Sequence, residues 1–418
     1  MRSNTCKGRG PMKPGYKQTE VGVIPEEWEV KSMDSLTSLM TNGFVGTATS
    51  AYVNGDNGVL YIQGYNVQEN GFDFHGIKRV SQSFHARNQK SCLRDGDLLT
   101  IQTGDIGVTT IVPPELVGAN CHALVISRFL KRTSDPRFYC QYFNSERGRA
   151  KFKEIETGST MKHLNVGDMK LLLLSSPPVE EQSAIAEALS DADALLAALD
   201  ALIAKKRDLK QAAMQQLLTG QSRLPGFRGE WEVKPLGDVA EIVMGQSPSS
   251  SNYNTSGAGL PLIQGNADIK DRKTITRVFT TQITKRGKSG DILMSVRAPV
   301  GEIARAGFDV CLGRGVCAIR FDNDFMYHSL IYLEPTWAKH SKGSTFDSVN
   351  SSDVKAVELN LPADQAEQTA IAEVLSEMDA ELAGLEQRYN KTRDLKQGMM
   401  QELLTGRTRL VSSKESHA

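Results

Sequence analysis

The chain has 418 residues, 39% hydrophobic and 23% charged, and its 49 basic and 49 acidic side chains balance to a net charge of zero. That length exceeds one ordinary core and predicts two or three domains of common globular composition. No apolar run approaches the ~20 residues of a membrane span, the N-terminus lacks the apolar stretch of a signal peptide, and there is no basic excess of the kind that favours phosphate contact. The six cysteines (Cys6, Cys92, Cys121, Cys140, Cys311, Cys317) form no Cys-x-x-Cys pair and no His/Cys cluster. They read as reduced thiols of a cytoplasmic protein, with no metal site.

In chain order, residues 1–12 read as a flexible extension. An element at 13–30 follows, carrying Pro14-Gly15-Tyr16-Lys17 and Glu27-Trp28-Glu29-Val30. It opens a first mixed α/β domain, 13–178, with short β-branched runs such as Leu98 to Ile101 and Thr109 to Val112 between glycine turns. Pro177-Pro178 stops that domain, and a long helix is predicted over 179–224. Its apolar residues Ile185, Leu189, Ala192, Leu196, Leu199 and Ile203 step by fours and threes, the spacing of a coiled-coil seam. A second α/β domain, 225–362, opens with Pro225-Gly226-Phe227-Arg228 and Glu230-Trp231-Glu232-Val233, repeating the N-terminal wording. A second long helix, 363–410, carries Ile371, Leu375, Met378, Leu382, Leu385 and Tyr389 on the same spacing, and 411–418 is a tail. Gly220 and Gly406 stand where a helix end wants a left-handed residue.

The two helices are one sequence used twice. Residues 181–224 and 367–410 align without a gap at a shift of 186, and 27 of the 44 pairs are identical. Each helix of about 40 residues, on the order of 60 Å long, needs a partner along its apolar stripe, and the other copy is the obvious one. The element that follows the first helix is supplied for the second by residues 13–30, so the repeat closes as a circle. The N-terminal element is therefore expected beside the end of the second helix, near Leu403 to Leu410. The two α/β stretches differ overall but share short words: Ile62-Gln63-Gly64 with Ile263-Gln264-Gly265, and Gly96-Asp97-Leu98-Leu99 with Gly290-Asp291-Ile292-Leu293.

No catalytic constellation is apparent. Asp135-Pro136-Arg137-Phe138 departs from the Asn/Asp-Pro-Pro-aromatic motif of adenine methylation at its arginine. Gly287-Lys288-Ser289 lacks the upstream glycine of a phosphate loop, since position 282 is Gln282. Asp95 and Asp97 read as turn residues.

Two differing domains alternate with two near-identical helices, each entered by Glu181-Gln182-Ser183-Ala184-Ile185-Ala186 or Glu367-Gln368-Thr369-Ala370-Ile371-Ala372 and left through Leu-Leu-Thr-Gly. Together with the opening Tyr16-Lys17-Gln18-Thr19-Glu20-Val21-Gly22-Val23-Ile24-Pro25, this resembles the specificity (S) subunit of type I restriction–modification systems, from Lys13 to Leu410. The resemblance implies two α/β target recognition domains separated by a long antiparallel two-helix coiled coil in a circular pseudo-two-fold repeat. It implies a subunit with no catalytic, cofactor or metal site of its own. Each domain would read half of an asymmetric bipartite target in double-stranded DNA. The coiled coil would set the spacing and dock two adenine-methylating M subunits, which carry S-adenosylmethionine; R subunits with ATP and Mg would complete a restriction complex.

Base readout needs polar loops that reach groove edges. The candidates at positions shared by the two domains are Asn42 with Gln246, Ser247 and Ser249; Gln102 and Thr103 with Arg297; and Thr160, Lys162 and His163 with Ser344 and Thr345. Lys285 and Arg286 are candidates for phosphate contact, as are Arg128 and several other basic residues. The alternative reading is a non-catalytic coiled-coil scaffold that holds two partner proteins apart without reading bases.

Overall fold

The computed structural model describes residues 14–55, 57–158, 162–339 and 348–410. The expected extension at 1–12 and tail at 411–418, and the candidates Thr160, Ser344 and Thr345, lie outside these. The chain divides into two compact units: Met1–Ala198 with Tyr389–Ala418, and Leu199–Arg388.

Both long helices are present, Val179–Leu217 and Gln365–Leu403, 39 residues each, about 58 Å at 1.5 Å per residue. They stop short of the 224 and 410 expected from the repeat. The reason is backbone geometry: Gly220 and Gly406 take φ of +73° and +69°, which turns the chain out of the helix. After Gly406, the Arg407 N–H reaches back to the Glu402 carbonyl at 2.9 Å.

Each unit shows the helices antiparallel. In the first, Lys396 pairs with Asp193. In the second, Lys210 pairs with Asp379 at 2.5 Å, Lys206 with Glu381 at 2.6 Å and Arg207 with Glu386 at 2.6 Å. The heptad residues Ile185, Leu189, Leu199, Ile203, Ile371, Leu375 and Leu382 are buried, and Leu196, Met378, Leu385 and Tyr389 are half-buried. Ile185 and Leu189 join the first unit's core with Trp28, Phe138, Leu403 and Leu404. Ile371 and Leu375 join the second unit's core with Met214, Leu217, Phe325 and Trp337.

The α/β parts share a sheet plan. In the first unit the strands run Thr109–Ile111, Leu98–Ile101, Leu124–Phe129, Thr37–Asn42 across the sheet, all antiparallel. In the second the same four places are held by Ile303–Arg305, Ile292–Ser295, Val316–Arg320 and Glu241–Met244, again antiparallel, and the sheet continues past Ile303–Arg305 with Lys273–Thr274, parallel to it, and Ile269–Lys270. A parallel pair accompanies each: Asn120–Cys121 with Val59–Ile62, and Val310–Leu312 with Leu260–Ile263. The start and end of each α/β part are tied together by Glu29–Ser32 against Leu173–Ser176 and by Trp231–Pro235 against Glu358–Pro362.

The N-terminal hairpin, Tyr16–Thr19 with Gly22–Pro25, packs on the end of the second long helix. The Tyr16 hydroxyl donates to the Gly406 carbonyl at 2.8 Å. A Cβ on Gly406 would lie 2.5 Å from Pro25 and 3.1 Å from Trp28, so the glycine permits both its own turn and the close approach of the hairpin. Trp28 is fully buried, and its indole N–H donates to Glu181 at 2.9 Å. Arg409 grips the same carboxylate at 2.5 and 2.8 Å and reaches Glu27 at 2.7 Å. In the second unit Arg223 grips Glu367 at 2.5 and 2.6 Å and stands 5.8 Å over the Trp231 ring, while Trp231 lies against Gly220. Glu181, Gly220 and Arg223 are the positions of Glu367, Gly406 and Arg409 at a shift of 186, and Trp231 holds the place of Trp28 in the repeated wording. What a continuous chain brings to the first helix end, the N-terminal hairpin brings to the second.

Glu181 is 1% exposed, so truncating it strands a half-buried guanidinium and a buried indole N–H. Glu181→Ala should therefore cost about 3 kcal/mol, whereas Arg207→Ala, which breaks an exposed pair, should cost less than about 1 kcal/mol. Urea unfolding of the two variants measures the difference.

Candidate nucleic-acid interface

Sheet register decides which loops lie together. In the first unit Asn42 pairs with Val125 and Ile101 with Leu124, so the loops after Asn42 and after Ile101 leave the same end of the sheet. The Leu164 N–H then bonds the Gln102 carbonyl at 3.0 Å, bringing the Lys162–His163 segment to that end. In the second unit Met244 pairs with Cys317 and Ser295 with Val316. There the Val349 N–H bonds the Val296 carbonyl at 3.1 Å, and Arg297 bridges Ser348. Both units thus gather three loops at one sheet end, and Thr103 in the first holds the place of Arg297 in the second.

The first of these loops is shaped by glycine. The Gly43 and Gly245 N–H groups bond the Leu124 and Val316 carbonyls at 2.8 and 3.0 Å, and a Cβ at either would strike backbone. Gly43 corresponds to Gly245, so Phe44 holds the position of Gln246 and Asn42 that of Met244.

The candidate side chains fall into three groups. Asn42 Oδ1 and Gln102 Oε1 are buried acceptors with no hydrogen bond. Ser247 and Ser249 serve turns: Ser247 Oγ accepts from the Arg314 N–H at 3.1 Å, and the Ser249 N–H donates to Gln282 at 2.9 Å. Gln246 accepts at its carbonyl from the Thr284 hydroxyl. Lys162 reaches Glu156 at 3.0 Å, and His163 pairs with Thr157 as an isolated bridge. Arg286 is held by Asp309 at 2.5 Å; the Ser289 N–H and then Arg286 keep that carboxyl below its ordinary pKa. Thr103, Lys285 and Arg297 are exposed, and among the described residues Lys285 and Arg297 make no ion pair. The nearby Glu302 carboxylate accepts from Asn266 at 2.7 Å.

Arg128 belongs to the framework. It grips the fully buried Asp97 with two bonds of 2.7 Å, and Arg320 grips Asp291 at 3.1 and 3.2 Å. The shared Gly-Asp word is thus a left-handed glycine turn whose aspartate anchors an arginine on the central strand.

Sequence reasoning missed the neighbours of Arg297. It lines a concave site of about 340 Å³ with Gln264, Asn266, Asp268 and Arg277; the Ile263-Gln264-Gly265 word was the available signal. In the first unit Arg87, Asn88 and Lys90 surround Asn42 and Phe44. They come from a short helix, Gln82–Arg87, and the turn after it, with no shared word to mark them. Nearby, the Tyr61 hydroxyl lies 2.9 Å from His122 Nδ1, and burial holds that imidazole below its ordinary pKa. Among the described residues no group of His, Cys, Asp and Glu could hold a metal ion, and no helix is long and apolar enough to cross a membrane.

The paired helices, doubled sheets and loops gathered at one end of each sheet have a known counterpart. The chain belongs to the type I restriction modification DNA specificity domain family, whose model matches residues 25–206 and 228–392. It is similar to the putative type I restriction enzyme MjaX specificity subunit of Methanocaldococcus jannaschii, 29% identical over 419 residues, covering 94% of this chain and 97% of that protein. Among solved structures, the type I restriction–modification system S subunit from M. genitalium shares the fold with a TM-score of 0.63 at 17% identity, covering 94% of this chain and 99% of that one. A chain from a study of complex assembly and conformational transition of the type I R-M system gives 0.56 at 23% identity, covering 92% and 99%.

The two arginines separate framework from surface. Arg128→Ala leaves Asp97 buried and unpaired and should cost about 3 kcal/mol, while Arg297→Ala should change stability by no more than about 0.5 kcal/mol. Thermal and urea unfolding of both variants checks the assignment.

Proposed function

We propose that this chain is the DNA-reading subunit of a type I restriction–modification complex, with methyl transfer and cleavage left to partner subunits. The α/β domains at 13–178 and 225–362 each read one half of an asymmetric bipartite target. The long helices set the gap between the half-sites and dock two adenine methyltransferase subunits.

The observation that carries this reading is one scaffold with two sets of side chains. Both sheets present three loops at the same end, yet Thr103 stands where Arg297 does and Phe44 where Gln246 does. A scaffold that only held proteins apart gives little reason for framework pairs such as Arg128–Asp97 and Arg320–Asp291 to recur while the loops differ; two different half-sites give a direct one. Arg297, exposed beside Gln264 and Asn266 and without an ion pair among the described residues, has the chemistry to read a guanine, worth about 1–3 kcal/mol of discrimination. Lys285 suits phosphate contact, which adds affinity without sequence preference.

Exchange of residues 31–178 for those of a relative with another target should change one half of the methylated sequence and leave the other intact. Mapping methylated adenines in cells carrying the chimera reads this directly, and a change in both halves contradicts independent reading. Failure of the intact complex to retain DNA on a filter favours the protein scaffold instead.

Inserting one heptad into each long helix, at matched places so that the seam stays in phase, should lengthen the gap. Seven residues add roughly 10 Å, or about three base pairs at 3.4 Å each. An active insertion variant with unchanged spacing means that the helices are not the ruler.

A further inference from the structure

In the first unit a continuous polar chain runs from the helix pair to the recognition sheet. Asp193, on the first long helix, receives Lys396 from the second. Its other oxygen accepts from Gln141 at 2.7 Å and from Asn70 at 3.2 Å. Asn70 in turn accepts from the Asn144 side-chain amide at 2.9 Å. Asn144 satisfies both backbone groups of Thr109, accepting its N–H at 3.0 Å and donating to its carbonyl at 2.8 Å. Thr109 pairs in register with Thr100, their buried hydroxyls 3.0 Å apart, and the strand of Thr100 leads into the loop at Gln102. Every link is a direct contact between half-buried or buried groups, where an unmet polar group is costly.

The second unit handles the same positions differently. Arg272 has the left-handed backbone of Asn70, φ +59° against +56°. It grips Glu334 at 2.6 and 2.8 Å, and Glu334 also accepts the N–H of Ile303 at 2.7 Å. Asp379, the counterpart of Asp193, receives Lys210, but the neighbouring His328 ring nitrogen stands 3.9 Å away. Among the described residues, no hydrogen bond from that α/β part reaches the Asp379 carboxylate. The chain from seam to sheet is complete in the first unit alone.

We propose that Asn70 and Asp193 are positioning residues that hold the Gln102–Asp105 loop in fixed register with the helix pair, and so keep the first half-site at a single distance from the second. This rests on the DNA-reading function proposed above. Neither residue reads a base; they act through Asn144 and Thr109 on the loop that does.

Asn70→Gly isolates the effect, because glycine adopts the left-handed backbone without strain and only the amide is lost. Methylated adenines are mapped across the genome of cells carrying the whole complex with wild-type, Asn70→Gly or Asn70→Asp chains, and urea midpoints are measured alongside. The bases of both half-sites should stay unchanged. The ratio of sites with a gap one base pair too long or too short to sites with the wild-type gap should rise about tenfold, equivalent to ~1.4 kcal/mol. If Asn70→Gly does not assemble, the nearly isosteric Asn70→Asp, which removes the donor to Asp193 and leaves the Lys396–Asp193 pair in place, carries the same test. A folded, active variant with wild-type spacing overturns the proposal, and so does a change in the bases read. A wild-type complex whose methylated adenines define no bipartite motif instead removes the reading beneath it, an outcome distinct from a bipartite motif indifferent to Asn70.

Discussion

Charge placed inside an apolar seam fixes how the long helices meet. Lys210 and Lys396 continue the four–three spacing of the leucines, and each side chain is only 13% exposed. Their partners, Asp379 and Asp193, lie on the opposite helix at antiparallel register. Sliding one helix by a heptad in one direction would set these lysines against Ala372 and Ala186, and an unpaired charge at such a site costs several kcal/mol; in the other direction they would meet Glu386 and Asp200. Leucines alone would tolerate several registers; a polar seam residue selects one at some expense in stability. The cores of both units build on that choice, since Ile185 and Leu189 in one and Ile371 and Leu375 in the other contribute to them.

On this base the two α/β parts separate framework from surface. Framework groups recur with the same job: glycine where strand and loop cross closely, aspartate after a left-handed glycine gripping an arginine, tryptophan over the glycine that ends a helix. Loop groups do not recur. That division lets exposed loop side chains such as Thr103 and Arg297 change without disturbing the fold, while Leu164, Val296 and Val349 tie the loops to the cores.

Legibility in the sequence followed the same division. The helices, their spacing and the hairpin beside Gly406 were readable because periodicity and repetition are linear properties, and Trp28 and Trp231 share a word. The ends of the helices were placed too late, because identity runs on past Gly220 and Gly406 while the backbone turns there. Arg128 was not distinguishable from a phosphate ligand, since Asp97 meets it only across the sheet. The residue-by-residue match of the loops at Asn42 and Gln246 was not legible, because a close approach of Gly43 to a neighbouring strand leaves no trace in composition. Gln264 and Asn266 were passed over because their nearness to Arg297 is a tertiary fact. Local pattern reports elements well, and long-range pairing of charges poorly.

The contact between Tyr16 and Gly406 spans 390 positions of sequence, and this has a consequence for the order in which the molecule is made. The second unit is an unbroken stretch, Leu199–Arg388, so its core needs nothing translated later. The first unit needs Leu403, Leu404 and Arg409 to close over Trp28 and Glu181. Emerging from the ribosome N-terminus first, it must wait with its hairpin unpacked and its side of the first helix uncovered, although it was synthesised earlier. Closing so long a loop is slow. Nascent chains should therefore mature in reverse of their synthesis, the first unit closing only once Arg409 has emerged.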